Sequence, residues 1–300
     1  MAIVCRPARA QDLERANALV VGSMNDLARR HGFGSIGVVR PPNFAMFSLG
    51  DDPDGLWVVD GDAGQILGFA FSWICDDLWF LAQLFVSPEH QGHGIGRELL
   101  RRTLEHAQKM RVTKKALITF TFNSVSQGLY IRHGLFPRFP IYNFSVARES
   151  LMSRLQSAPL RCVPIENTAS QLHSLSQIDI QALGVSREKH HKYLINDSVT
   201  RGVTVYEGND CVGYIYIADG HIGPLAVTQA SVLGPAFRTA LNLAAAHGSE
   251  QVSAFLPGSS AAVLSIAVEH GMRIALPMVL MSSHDFGDWN RYLPRNPGFM

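Results

Sequence analysis

The chain has 300 residues, 47 % of them hydrophobic, which is enough for packed cores in two domains of ordinary size. A formal net charge of +1 leaves no electrostatic footprint for nucleic acid or an anionic membrane, so neither is expected as a partner. No apolar run reaches membrane-span length, Met1–Pro7 shows no signal-peptide apolar region, and Cys5, Cys75, Cys162 and Cys211 stand at no metal or redox spacing; the expectation is a cytoplasmic protein with reduced thiols and no metal.

In chain order, Ile3 to Arg6 predicts a short strand. Ala10 to Arg30 predicts a helix with Leu13, Ala16, Leu19, Val20, Met24 and Leu27 on one side. Gly32 to Gly55 is rich in Gly and Pro around an apolar piece, Phe44–Phe47. Leu56–Val59 and Ile66–Phe71 flank the turn Asp60-Gly61-Asp62-Ala63-Gly64, a hairpin signal, and Leu78–Val86 predicts a buried strand. A loop with three glycines follows, Gln91-Gly92-His93-Gly94-Ile95-Gly96. Then Arg97–Ala107, apolar at Leu99, Leu100, Leu104 and Ala107, predicts a helix.

Strand, glycine loop and helix together make an anion cradle. A helix N-terminus presents free N–H groups and a partial positive charge, and glycines admit a phosphate to that backbone. The Walker pattern is excluded because Gly96 is followed by Arg97-Glu98. The dinucleotide fingerprint is excluded because no third glycine falls at its spacing. After the loop, Ala116–Phe122 predicts a strand, and Asn123 and Gly134 would cap and end a short helix.

Val86-x-Pro88-Glu89 with Gln91-x-x-Gly94-x-Gly96, followed by Asn123 through Tyr130 to Gly134-Leu135-Phe136, resembles the GNAT acetyltransferase superfamily. The resemblance implies an α/β (α+β) fold, a mostly antiparallel sheet flanked by helices, and acetyl-CoA as cofactor. It implies that the backbone of Leu84, Phe85 and Val86 bonds the pantetheine arm. Gln91, Gly92, His93, Gly94, Ile95, Gly96 and Arg97 would receive the pyrophosphate; His93 stands where the family often has Lys or Arg. Asn123 would touch pantetheine, and Tyr130 would contact the cofactor and protonate the departing thiolate as a general acid. Each of the last two has a plainer reading, a helix cap for Asn123 and a core tyrosine for Tyr130. No base is evident: Trp79–Leu84 carries no carboxylate, and Asp76-Asp77 reads as a solvated turn. Deprotonation by water, or binding of a neutral amine, is the expectation.

Residues 149–159 predict a linker between a catalytic domain, 1–148, and a second domain, 160–300, in which the order restarts. Arg161–Val163 is its first strand, Ala169–Leu183 and Ser186–Ile195 are helices, Val203–Glu207 and Cys211–Ile217 a hairpin, and His221–Val227 the strand before the equivalent loop. Pro235–His247, Gln251–Leu256 and Ser259–His270 complete it. Leu225-x-Val227 echoes Leu84-x-Val86, and His270-Gly271 echoes His133-Gly134. Gly94, however, falls on Pro235 and Gly96 on Phe237, or, slipped by one, on Gly234 and Ala236; Tyr130 falls on Ala267 and Asn123 on Ser260. The second half thus resembles a degenerate GNAT copy, and two tandem GNAT-like domains are expected. His190-His191 lie in a polar helical run with no metal partner at ligand spacing. The expected function is acetyl-CoA-dependent N-acetyl transfer to a primary amine, of a small molecule in the first instance. The alternative is a non-catalytic acyl-CoA sensor. A homodimer is a further expectation.

Overall fold

A computed structural model describes residues 4–246 and 249–300; the expected strand start at Ile3 and helix end at His247 lie outside them. The chain divides into two compact units. One is the chain through Ile118 with Phe122–Phe136 and Ser282–His284; the other is Thr119–Thr121, Pro137–Met281 and Asp285–Met300. This division runs through the stretch expected to close a first domain at residue 148.

The first unit contains β1 (Val4–Pro7), α1 (Leu13–Arg30), α2 (Asn43–Asp51), β2 (Leu56–Asp60), β3 (Ile66–Cys75), β4 (Leu78–Val86), α3 (Ile95–Lys109), β5 (Lys114–Phe120) and α4 (Ser124–Ile131). The strands lie in chain order, antiparallel except for the pair β4–β5. β3 is buried at every position, as a strand covered on both faces must be. The turn after it holds Asp76 at φ 47°, and Asp77 accepts hydrogen bonds from the Thr113 backbone N–H and hydroxyl. The acidic pair is therefore a turn, as expected. α3 buries Ile95, Leu99, Leu100, Thr103, His106 and Ala107, one stripe at helical spacing, while Glu98, Arg101, Arg102 and Glu105 pair on its wet side.

β4 is irregular in two ways. Phe71 faces Gln83 while Ser72 faces Leu81, so Ala82 is an extra, bulged residue. Pairing with β5 covers only Leu78–Leu81 against Lys114–Leu117. Ala82 to Val86 consequently leave that edge unpaired, and all five are only half-buried.

The second unit contains β6 (Phe136–Ala147), α5 (Arg148–Met152), β7 (Arg161–Pro164), α6 (Ala169–Leu183), α7 (Glu188–Asn196), β8 (Thr200–Glu207), β9 (Asp210–Ala218), β10 (His221–Val227), α8 (Ala230–Ala245), β11 (Gln251–Pro257), α9 (Ala261–Glu269), β12 (Arg273–Ser282) and β13 (Tyr292–Leu293). Its strand order is β12-β6-β11-β10-β9-β8-β7, with β10–β11 parallel. β6 pairs with β11 from Ile141 to Ala147. No strand is predicted from the sequence over these residues, because Pro137 and Pro140 mask its pattern.

Two further expectations are corrected here. α8 begins at Ala230, not Pro235, so only Thr228 and Gln229 separate it from β10 and Pro235 lies inside the helix. Its early start is explained by burial: Val232, Leu233, Ala236, Phe237, Ala240 and Leu241 line the core of this unit. Covering a side chain like Phe237 contributes roughly 1.5–3 kcal/mol. The His190-His191 pair is fully buried instead of polar surface. His191 bridges Asp179 (2.9 Å) and the Tyr216 hydroxyl (3.0 Å), and His190 packs on Phe299. Asp179, also fully buried, accepts from Arg187 and from Tyr214, and Arg187 donates to the Met300 carbonyl. Burial pushes the Asp179 carboxyl up, but the Arg187 guanidinium and the hydrogen bonds from Arg187 and His191 hold it well below the usual carboxylate range. A buried charge is tolerated here because every lone pair is used.

Candidate active site

The glycine loop is fixed by its own side chains. Gln91 turns back and donates to the Val86 carbonyl (3.1 Å), which also accepts from Ser23 of α1 (3.3 Å). Ser87 bonds both Glu89 and His90. Gly92 and Gly94 stand at φ 84° and 85°, left-handed backbone that favours glycine, and Gly94 is the N-cap of α3. The first helical bond runs from Glu98 N–H to the Gly94 carbonyl. Among the described residues, the N–H groups of His93 through Arg97 have no partner. Open donors thus sit at a helix start, where the partial positive charge also resides.

An open cavity of about 700 Å³ adjoins this loop, lined by Gly92, His93, Gly94, Arg97, Leu129, Arg132 and His133. Neither Arg97 nor Arg132 has an ion-pair partner among the described residues. Arg132 was not singled out from the sequence; its place two residues after Tyr130 on the α4 side of the loop is the signal that could have found it. The set suits a pyrophosphate: free N–H donors, two unpaired guanidinium groups, and space.

The expected strand residues are placed by hydrogen-bond parity. Ser87 N–H donates to the Leu67 carbonyl, so Leu67 and Ser87 form a hydrogen-bonded pair, as do Phe69 and Phe85 two residues on. Between them the backbone groups of Leu84 and Val86 must point away from β3, to the side that β5 has left. The Val86 carbonyl, already held by Gln91 and Ser23, confirms the direction. The Leu84 N–H and carbonyl and the Val86 N–H remain for an extended amide-bearing chain. Ile95 differs from its neighbours: its side chain is 2 % exposed and belongs to the core, so only its N–H can serve the loop. Gly96 opens the first turn of α3, within contact distance of Val86.

Asn123 caps α4, its Oδ1 accepting from Ser126 N–H at 3.2 Å. The cap reading therefore holds, and the amide nitrogen keeps its donors. Tyr130 is buried, 5 % exposed, and its hydroxyl bonds Ser126 one turn back. Burial pushes its pKa up, against the smaller effect of the Ser126 bond, so the phenol keeps its proton at neutral pH. Leu129, Arg132 and His133 of the same segment line the cavity, whereas Tyr130 itself faces inward.

Residues 24–135 match the model of the acetyltransferase (GNAT) family. A 75-residue stretch is 36 % identical to an uncharacterized N-acetyltransferase of Archaeoglobus fulgidus, covering 22 % of this chain and about half, 48 %, of that protein. The whole chain shares its fold with solved structures of low identity. A putative acetyltransferase from Pyrococcus horikoshii superposes with a TM-score of 0.73 at 17 % identity, over 97 % of this chain and 92 % of that one. A GCN5-related N-acetyltransferase from Sphaerobacter thermophilus gives 0.65 at 14 %, over 96 % of each. A tandem GNAT protein from the clavulanic acid biosynthesis pathway gives 0.60 at 15 %, over 94 % and 98 %. The family match thus falls on residues 24–135, the stretch that builds the open loop before α3 and the unpaired edge of β4, and in that stretch the chain is similar to the acetyltransferase (GNAT) family.

Proposed function

We propose that the chain transfers an acetyl group from acetyl-CoA to a primary amine of a small molecule. The observation that carries this reading is the run of unpartnered N–H groups from His93 to Arg97, beside the unpaired edge of Leu84 and Val86. Acetyl-CoA supplies the acyl group as an activated thioester. The loop N–H groups, Arg97 and Arg132 would hold the pyrophosphate, and the Leu84 and Val86 backbone would align the pantetheine amides.

In the transfer, the amine nitrogen bonds to the acyl carbon and the carbon–sulfur bond breaks. The amine proton leaves to water. Tyr130 is the group proposed to give its hydroxyl proton to the departing thiolate and then to recover one from water; its raised pKa keeps the proton in place until the transfer. The free thiols of Cys5, Cys75, Cys162 and Cys211 suit a cytoplasmic setting. Among the described residues, no helix is long and apolar enough to cross a membrane.

The absence of a carboxylate between Leu78 and Val86 favours one second reading, a non-catalytic acyl-CoA sensor. Thiol release from acetyl-CoA with a panel of amines, followed by mass spectrometry of the products, separates the two. Catalysis yields CoA and an acetylated amine in equal amounts. Tight binding without release for any amine would leave the sensor.

A further inference from the structure

The face of the sheet covered by α1 and, through Phe44, by α2 has an unusual composition. Its cross-strand pairs are Phe69–Phe85, Phe71–Gln83 and Trp73–Phe80, five aromatic rings and one amide. Trp73 stacks on Phe80 at 4.9 Å. From α2, Phe44 packs on Phe71 at 5.4 Å and Phe47 stacks on Phe44. Phe69, Phe71, Trp73 and Phe80 are fully buried, but Gln83 and Phe85 are not, although β4 is an interior strand. They border the half-buried stretch where β4 has left β5, and Gln83 is the immediate neighbour of Leu84, whose backbone faces that gap. Among the described residues the Gln83 side chain has no hydrogen-bond partner. From Ile66 to Val86 the only acidic residues are Asp76 and Asp77, at the far turn.

We infer that the acceptor is a primary amine on a flat aromatic body, an arylalkylamine, with its ring against the Phe44–Phe47–Phe85 side and its amino group hydrogen-bonded to the Gln83 amide; this rests on the acyl-transfer reading above. A neutral amide orients an amine without fixing its charge: Oε1 accepts an N–H and cannot take the proton. A molecule with several ammonium groups would have to desolvate each of them against an aromatic wall that offers no carboxylate. A sugar amine would strand its hydroxyls for the same reason, since one amide cannot serve them all. An aromatic ring loses nothing there and gains stacking contacts.

The test uses the full chain at saturating acetyl-CoA with phenylethylamine, tryptamine, spermidine and glucosamine, reading thiol release. The two arylalkylamines should exceed the others in kcat/KM by about tenfold or more, the scale of one well-made polar contact. Gln83→Ala should raise the arylalkylamine KM by about tenfold with a smaller change in kcat. Its acetyl-CoA affinity, measured by calorimetry, should match that of the parent, which shows that the fold survives. Gln83→Glu should move the preference toward spermidine. Spermidine or glucosamine as the preferred acceptor of the parent, or an unchanged KM in Gln83→Ala, overturns the inference and leaves acyl transfer standing. Absence of turnover with all four amines, with acetyl-CoA bound, overturns both.

Discussion

The two units treat the same structural opening in opposite ways. In the first, β4 and β5 pair only as far as Leu81, and the edge beyond, Leu84 to Val86, stays open. In the second, the parallel pair β10–β11 covers His221 and Ile222, and beyond it the short strand β13 moves in, pairing Leu293 with Leu225 and Tyr292 with Ala226. Val227 N–H then donates to the Arg291 carbonyl, and Arg291 donates to the Thr228 carbonyl. The equivalent edge is thus filled by the chain itself. The approach to the helix differs as well: residues 87–94 form a glycine loop before α3, while only Thr228 and Gln229 precede α8. The gap stays open in the first unit and is used for internal pairing in the second.

The filling segment is firmly held. His221 bonds the Arg295 carbonyl and the Ser253 hydroxyl, His190 packs on Phe299, and the buried Arg187 reaches Met300. Gly223, at φ 134°, lets the chain pass so closely that a Cβ there would lie 2.6 Å from the Pro294 carbonyl oxygen.

The contrast can be broken at several points. The largest effect is expected in the open unit: Tyr130→Phe should lower kcat by roughly 10²–10⁴, the scale of a positioned general acid, with acetyl-CoA affinity little changed. Unaltered turnover, with chemistry shown to be rate-limiting, would remove Tyr130 from the reaction and leave it a core side chain.

In the filled unit, acid should loosen the segment. Burial lowers the His221 pKa to about 4, against a small opposing pull from the Arg295 carbonyl, and burial lowers His190 too. Between pH 6.5 and 4 the unfolded chain takes up a proton at His221 that the folded chain refuses. Stability is therefore full above pH 6.5 and falls as the pH drops through that window, by about 3 kcal/mol for His221 at ~1.36 kcal/mol per pH unit. The contribution of Asp179, whose carboxyl is held low by Arg187 against the effect of burial, is lost only at still lower pH and does not enter this window. Denaturant unfolding at pH 7 and pH 4.5, with amide exchange followed at Tyr292 and Leu293, measures this. Equal stability and exchange at both values would contradict it.

The smallest effect is expected from Gly223→Ala. It should destabilise the second unit by about 1–3 kcal/mol through overpacking and leave acetyl-CoA affinity intact. An unchanged unfolding midpoint would show that the approach of Pro294 is loose.

Much of this architecture was legible in the sequence. β4, α6 and β10 fall on the predicted residues, and the open loop followed from Gly92, Gly94 and Gly96. The echo between halves also holds in detail. Asn123 and Ser260 stand at the N-caps of α4 and α9, His133 and His270 each donate through Nδ1 to the carbonyl four residues back, and Gly134 and Gly271 follow at φ 78° and 77°. What escaped was long-range pairing. Nothing local in Tyr292-Leu293 marks a strand two residues long, nor does β6 announce its partner β11. Aligning Gly94 with Pro235 compared a loop with a helix interior, because the deletion before α8 shifts the register. Gln83 escaped for a different reason: the Ala82 bulge decides which face it joins, and a bulge is set by pairing, not by composition.

Calorimetric titration of acetyl-CoA into the full chain tests the central claim most directly. The account predicts a single site per chain that disappears in Gly94→Pro, with circular dichroism confirming that the variant remains folded. Two sites in the parent, or binding that survives in Gly94→Pro, would show that the filled gap accepts the cofactor or that the glycine loop does not.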